Sequence, residues 1–250
     1  MQASALETDA VVVSRLLRDD DRVMIGAGLD APRAGALLAS LTHAPGLALC
    51  QSLGWIDVAS LERPRPPRLG MDVRDAAGAE ALMLDDEAYD DVRRLSTFFV
   101  LGGLEFDRHG ATNLLGRRGP DGWERRGPGA IGTSSMAVLA ERTLLYATRH
   151  TPEVFVEACS AVSAHGWRPD DPLAASGPDL CLSPAGLFDF PEPGRKMRLL
   201  YTRPGWSAAE TQAATGFPLA GLDDATPLPE PQAGELEALR ERVDHDGRLR

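Results

Sequence analysis

The chain has almost no lysine. Of its 26 basic residues only Lys196 is one, so no phosphate-binding loop of the Gly-Lys-Ser/Thr type can be built from it. Cysteine is nearly as scarce. Cys50, Cys159 and Cys181 are widely spaced, which excludes a paired-cysteine metal site or redox motif and fits a reducing, cytoplasmic setting. The five histidines show no ligand-like spacing, so no metal is expected. Positive charge is in deficit. With 37 acidic residues the formal charge is -11, the opposite of a nucleic-acid-binding footprint. Long apolar runs are missing too. None approaches the roughly 18 residues that a membrane span requires. The first 13 residues carry two acids and no base, which predicts no secretory signal. There is no repeat and no clear linker, so residues 1–250 are expected to form a single α/β domain.

Periodicity fills in that outline. Residues 3–18 read as an opening helix, ended by Asp19 and Asp20. Residues 22–25 read as a strand, followed by Gly26-Ala27-Gly28, a cap at Asp30, and a small-residue helix over 33–41. Further strands are expected at 47–50, 96–101, 143–147 and 154–159, and a helix near 135–141. Residues 63–68 are proline-rich and break regular structure. Residues 72–95 are acidic and mostly helical. Residues 117–128 form a hydrophilic excursion with four arginines, Arg117, Arg118, Arg125 and Arg126, around Trp123. From Asp179 the period shortens. Residues 179–182, 186–190 and 197–201 predict an antiparallel ribbon. Ser207 with Glu210 three residues on is a capping-box signature for a helix over 206–215, closed by Gly216. A last helix is expected over 235–243.

Chemistry concentrates in two glycine-rich stretches. Gly102 and Gly103 end an apolar strand and lead into Glu105, Asp107, His109, Gly110 and Asn113. Backbone N–H groups at such a turn can face a bound group, or the glycines can simply serve a tight turn. Gly127, Gly129, Gly132 and Ser134 lie in a second loop that can wrap a phosphate or a carbonyl. Neither stretch is a dinucleotide fingerprint, and no Gly-x-Ser-x-Gly nucleophile elbow is present. The arginine-rich excursion reads either as a grip on an anionic ligand or acidic partner or as an exposed charged loop.

In order and spacing these elements resemble the beta subunit of class I coenzyme A transferases, of the glutaconate CoA-transferase type. Gly102-Gly103, then Asp107, Gly110 and Asn113, match a strand ending in Gly-Gly and an Asp-x-x-Gly-x-x-Asn run. The loop from Gly127 to Ser135, Phe155-Val156-Glu157, the strand around Phe188, Pro204-Gly205 and Thr215-Gly216-Phe217 follow in family order. The resemblance implies a Rossmann-like three-layer α/β sandwich with a small antiparallel ribbon late in the chain. It also implies an alpha subunit as partner, as αβ or α2β2, with coenzyme A present only as part of a thioester substrate. Transferases of this family carry a nucleophilic glutamate just after the second strand. Here that stretch is Leu47-Ala48-Leu49-Cys50-Gln51-Ser52. Gln51 stands nearest to the expected place, and an amide cannot act as a carboxylate nucleophile. Asp57 and Glu62 follow out of register.

The missing acid points toward the branch of steroid ring-cleaving CoA hydrolases, in which the alpha subunit supplies the carboxylate. That branch's Gly-x-Asn-x-Asn run stands here as Gly110-Ala111-Thr112-Asn113-Leu114. Glu105, Gln51 and Asn113 are the expected catalytic-site residues on this chain. Gly102, Gly103, Gly127, Gly129, Gly132 and Ser134 are the expected surroundings of the CoA or acyl group. A CoA-transferase and a non-catalytic stabilising subunit are the alternatives. A sugar-phosphate isomerase of the same fold is disfavoured, because the one lysine lies in the late ribbon.

Overall fold

The computed structural model describes residues 2–51, 55–56, 79, 81–82, 96–130, 132–171 and 177–250. The proline-rich segment 63–68 and most of the helix expected over 72–95 lie outside the described residues. Within that expected helix, Ala81–Leu82 is instead a short strand antiparallel to Trp55–Ile56. The chain divides into two compact units, residues 1–100 with 229–250, and residues 101–228.

In the first unit, helix α1 (Ala5–Leu16) opens on the Ser4 capping box, with the Glu7 carboxylate returning to the Ser4 N–H at 2.8 Å. Both Glu7 and the ring of apolar residues from Ala10 to Val13 are buried. Strand β1 (Arg22–Ile25) follows, then helix α2 (Asp30–Ser40), strand β2 (Ala48–Gln51), and the short strands β3 (Trp55–Ile56) and β4 (Ala81–Leu82). Strand β5 (Phe98–Gly102) and β2 flank β1, all parallel, with Val23 opposite both Leu49 and Phe98. The burial of these strands on both faces explains their unbroken apolar character. Asp30 does not cap α2. It is the first helical residue, and Leu29 at the cap makes no side-chain bond. Gly35 lets α2 approach α1 closely, since a Cβ there would meet Val13 Cβ at 2.9 Å. The far end of the chain closes this unit. Arg240 donates to both oxygens of buried Glu7, at 2.6 and 2.8 Å, which holds the Glu7 carboxyl below its ordinary range.

The second unit begins with two hairpins, β6 (Glu105–Phe106) with β7 (Thr112–Asn113), and β8 (Gly116–Gly119) with β9 (Gly122–Arg126). The excursion over 117–128 is therefore largely regular structure. Its turn glycine, Gly122, has φ +127°. Helix α3 (Thr133–Leu139) and strand β10 (Arg142–Tyr146) follow. Strands β11 (Leu180–Leu182), β12 (Gly186–Asp189) and β13 (Arg198–Thr202) form the expected antiparallel ribbon, with β11 parallel to β10 and the short strand β14 (Thr226–Pro227) parallel to β13.

Helix α4 (Ala208–Ala213) has the Ser207–Glu210 capping box in full. It ends at Ala213 rather than at Gly216. Gly216 has a different task, since its N–H donates to the Phe155 carbonyl at 2.7 Å and a Cβ would press on that same oxygen. Helix α5 (Ala233–Ala238), in the first unit, continues as a π-helical turn over Leu239–Val243.

No strand forms over 154–159. The Val154 and Phe155 amides both donate to the Thr151 carbonyl at 2.9 Å, which makes a turn, and Phe155 keeps only a bridge to Phe106. The apolar run 154–156 is a core anchor, a case in which periodicity alone cannot separate strand from buried turn. Phe106, Phe155 and Phe188 are fully buried, and the His150 ring stacks on Phe155 with centroids 3.9 Å apart.

Candidate functional site

The Asp-x-x-Gly-x-x-Asn run builds the β6–β7 hairpin. Asp107 accepts the His109 and Ala111 amides at 2.9 Å each, an Asx-type turn that adds to the backbone bonds from the Asp107 amide to the Ala111 carbonyl and from the Gly110 amide to the Asp107 carbonyl, both 3.0 Å. Burial pushes the Asp107 carboxyl up from its ordinary range, against the pull of those two amides. Gly110 sits at φ +80°, where an L side chain is strained, and a Cβ would collide with Pro178. The cross-strand register then sets Glu105 opposite Asn113.

Glu105 is 4 % exposed and Asn113 is wholly buried. The Asn113 amide nitrogen donates to Glu105 Oε2 at 2.7 Å and to the Gly116 carbonyl at 2.8 Å. Its Oδ1 accepts the Leu115 and Gly116 amides at 2.9 and 3.2 Å. Ser160 completes the carboxylate shell, with its N–H 2.8 Å and its hydroxyl 2.8 Å from Glu105 Oε2. A buried carboxylate is tolerated because its lone pairs are filled by donors. This arrangement fixes the path from β6 through β7 into β8 and fills Glu105 Oε2, while Oε1 keeps the Ser160 hydroxyl at 3.0 Å and Arg117 Nε at 3.8 Å. Nothing in the sequence signals Ser160, which lies 47 residues beyond Asn113 and meets it only in the folded chain.

The remaining expected residues take varied places. Gly102 ends β5. Gly103 permits close packing, because a Cβ there would lie 2.6 Å from Thr112 Cγ2 and 2.8 Å from the Phe106 ring. The Gly127 and Gly129 amides donate to the Leu115 and Leu114 carbonyls at 2.9 and 3.1 Å, so both are engaged within the loop. Gly132 caps α3 in the left-handed conformation, φ +66°, and Ser134 is exposed in the first turn of that helix. Gln51 is the last residue of β2, in the first unit, its backbone in register with Ile25. Asp57 and Glu62 lie outside the described residues. Cys159 donates to the Ala111 carbonyl at 3.2 Å, and burial, followed by the charges of Asp107 and Glu105, pushes its thiol far up. It is no activated nucleophile.

Within the second unit a cavity of about 520 Å³ opens beside Glu105. Its walls come from Leu104, Arg117, Glu124, Arg125, Arg149 and Val154, among others. Arg117 is tied at its mouth, with Nε 3.8 Å from Glu105 Oε1 and Nη2 donating to the Glu153 carbonyl at 3.1 Å. Arg117 and Arg125 stand out in the sequence within the arginine-rich excursion, whereas Arg149, which reaches the cavity from the loop after β10, carries no such signal. Among the described residues no cluster of histidine, cysteine or acidic side chains is arranged to hold a metal ion, and no helix is long and apolar enough to cross a membrane.

This mixed α/β arrangement, with its late antiparallel ribbon, is the sandwich fold of the CoA-transferases. Glutaconate coenzyme A-transferase from Acidaminococcus fermentans superposes with a TM-score of 0.87 over 99 % of this chain and 98 % of its own, at 22 % identity. The IpdAB structure from Rhodococcus jostii RHA1 superposes with a TM-score of 0.83 at 26 % identity, over 100 % of this chain and 98 % of that one. In sequence, the cholesterol ring-cleaving hydrolase IpdB subunit of Mycobacterium tuberculosis H37Rv is 27 % identical over 95 % of this chain and 94 % of its own length. The subunit of the same name from Rhodococcus jostii RHA1 is 27 % identical over 97 % and 93 %. No protein-family model matches the chain. Similarity running end to end in both sequence and fold makes this chain a beta-subunit-like member of the class I coenzyme A transferase family.

Proposed function

We propose that this chain is the beta subunit of a heteromeric enzyme that hydrolytically cleaves a carbon-carbon bond in a cyclic acyl-CoA thioester, with the catalytic carboxylate supplied by an alpha subunit. The observation that carries the reading is Gln51, an amide at the C-terminal end of a parallel strand, one position before the place that the resemblance gives to the transferases' nucleophilic glutamate, in a stretch, residues 47–52, that holds no acid. An amide has no carboxylate to form an acyl anhydride or a glutamyl-CoA thioester. The ring-cleaving hydrolase subunits, similar over nearly the full length, support the same branch. Fold alone does not choose the reaction, since the decarboxylase AibA/AibB shares it at a TM-score of 0.84 and 23 % identity.

In this reading Glu105 and Asn113 are positioning residues. They hold the hairpin that carries the glycine turn at Gly102 and Gly103 and fix one wall of the cavity. Gly132 and Ser134 stand beside the thioester. The substrate brings coenzyme A with it, and no resident cofactor is needed. The three free cysteines suit a cytoplasmic enzyme.

The test is co-purification with a coexpressed alpha-like subunit, incubation with a panel of acyl-CoA thioesters, and borohydride trapping followed by peptide mass mapping. Turnover to a ring-opened product with no modified carboxylate on this chain is the expected result. A borohydride-trapped Asp or Glu on this chain would replace the hydrolase reading with a transferase.

A further inference from the structure

Strand β1 stands where the order of the sheet reverses. It leads through α2 to β2 on one side, and β5 pairs with it on the other. Outside the carboxyl ends of parallel strands, such a reversal opens the crevice in which α/β sheets hold their ligands. At that end of β1 the Gly26 amide donates to the Val100 carbonyl at 2.8 Å. The chain then turns through Gly28, at φ +75° with open space where a Cβ would lie, and α2 begins at Asp30. Gln51 ends β2 at the same edge, in register with Ile25. Residues 47–52 bring no acid there. Asp30 does.

An acid in the first turn of a helix ordinarily accepts from the free amides or pairs with a basic neighbour. Asp30 is held differently. Leu29 occupies the cap position without a side-chain bond, and the Arg33 amide is taken by the Leu29 carbonyl at 3.1 Å. Asp30 Oδ1 is buried and accepts no hydrogen bond among the described residues. Burial pushes the carboxyl up from its ordinary range, against the charges of Arg248, from the end of the chain, and Arg33, from the next turn of α2. An ionised oxygen in that place is costly, and a protonated carboxyl is not.

Hydrolysis of a ring carbon-carbon bond needs two proton transfers. Water loses a proton as its oxygen adds to the ring ketone. The bond from that carbon to the carbon beside the thioester then breaks. Its electron pair stays on the second carbon as an enolate, which has to gain a proton. The alpha subunit's carboxylate serves the first transfer. We propose that Asp30 serves the second, as the catalytic acid that protonates the carbon released beside the thioester. The proton taken from water returns to Asp30 through solvent, so the net change is the addition of one water. This role rests on the ring-cleaving reading above, and it gives each subunit one carboxyl with one task.

The test uses the full chain assembled with its coexpressed alpha-like subunit. The probe is 2-oxocyclohexanecarboxyl-CoA, a minimal cyclic β-keto thioester. Asp30→Asn should lower kcat by about a hundredfold or more and keep KM within about threefold. Its melting temperature should stay within about 2 °C of wild type. Asp30→Ala, a good helix former with no proton to move, is the second variant and should show the same losses. A second readout needs no attack by water. In deuterium oxide the wild-type assembly should exchange the hydrogens beside the thioester of pimeloyl-CoA, the ring-opened product, and both variants should lose that exchange.

Wild-type kcat or undiminished exchange in either variant overturns the assignment. So does a loss of rate that tracks a fall in melting temperature, which is the mark of a structural acid, and so does a wild-type assembly that exchanges nothing. The two claims fail separately. An assembly that opens no ring yet exchanges pimeloyl-CoA through Asp30 keeps the acid and sinks the ring opening. Ring opening at full rate without Asp30 keeps the activity and sinks the acid.

Discussion

Two hairpins follow one another in the second unit and use their charges in opposite ways. In β6–β7, Glu105 faces Asn113, both are buried, and each polar atom finds a partner inside the fold. In β8–β9, Arg117 faces Arg125, both are exposed, and the Arg125 side chain makes no hydrogen bond or ion pair among the described residues. Both segments are dense in polar residues, so composition alone would rank them alike as site candidates. The contrast teaches that a polar side chain whose bonds are closed within the chain belongs to the scaffold. One left exposed and without a side-chain bond is available to something outside it.

The sharpest way to break this comparison is Asn113→Ala. It leaves the Gly116 carbonyl and the Leu115 and Gly116 amides short of partners and strips a donor from buried Glu105. Loss of stability on the order of 4 kcal/mol is expected in chemical denaturation, and a loss below about 1 kcal/mol would show that the network is not structural.

Next in size is the pH dependence set by His150. The ring is 5 % exposed, takes the Ser183 hydroxyl on Nδ1 at 2.8 Å and meets Thr215 Oγ1 on Nε2 at 2.9 Å. Thr215 donates its own hydroxyl to the Thr211 carbonyl, so Nε2 is the protonated nitrogen of a neutral ring and Ser183 donates to Nδ1. Burial lowers its pKa to about 4. The unfolded chain, at about 6.5, therefore binds the proton more readily. His150's contribution is complete above pH 6.5 and is lost as pH falls toward 4, up to about 3 kcal/mol in all. His150→Phe should lower stability at neutral pH and flatten that part of the profile. An unchanged slope in the variant would assign the acid sensitivity elsewhere.

Gly110→Ala should cost about 2 kcal/mol, through positive φ and the contact with Pro178. Gly122→Ala, with nothing within 4 Å, bears the backbone strain alone and should cost about 1 kcal/mol. Thermal melts of the pair would measure the steric share directly. The smallest effect has the opposite sign. Arg125→Glu turns a repulsive cross-strand pair into an attractive one and should raise stability by about 0.5 kcal/mol. A melt that falls instead would mean that Arg125 is held by contacts of its own.

Much of the architecture was legible from periodicity. Strand 22–25, the 186–190 and 197–201 ribbon strands and the Ser207–Glu210 cap carry signals that depend on near neighbours in sequence. The turn at 151–155 was not legible. Whether Val154 and Phe155 extend or fold back on Thr151 is decided by Phe106, His150 and Phe188, which arrive from distant segments. The site divides in the same way. The glycine stretches were visible in the sequence, but the engagement of Gly127 and Gly129 by the Leu115 and Leu114 carbonyls, Ser160 on Glu105, and Arg149 on the cavity wall depend on segments that meet only in the folded chain.

The sequence by itself determined the family likeness, the amide Gln51 in a stretch without an acid and the store of arginine in an acidic chain, because these are matters of residue identity and order. Only the tertiary structure decided what each polar group does. Hydrogen bonding and desolvation act between groups that meet in space, and they separated the closed Glu105–Asn113–Ser160 network from the open pair Arg117 and Arg125.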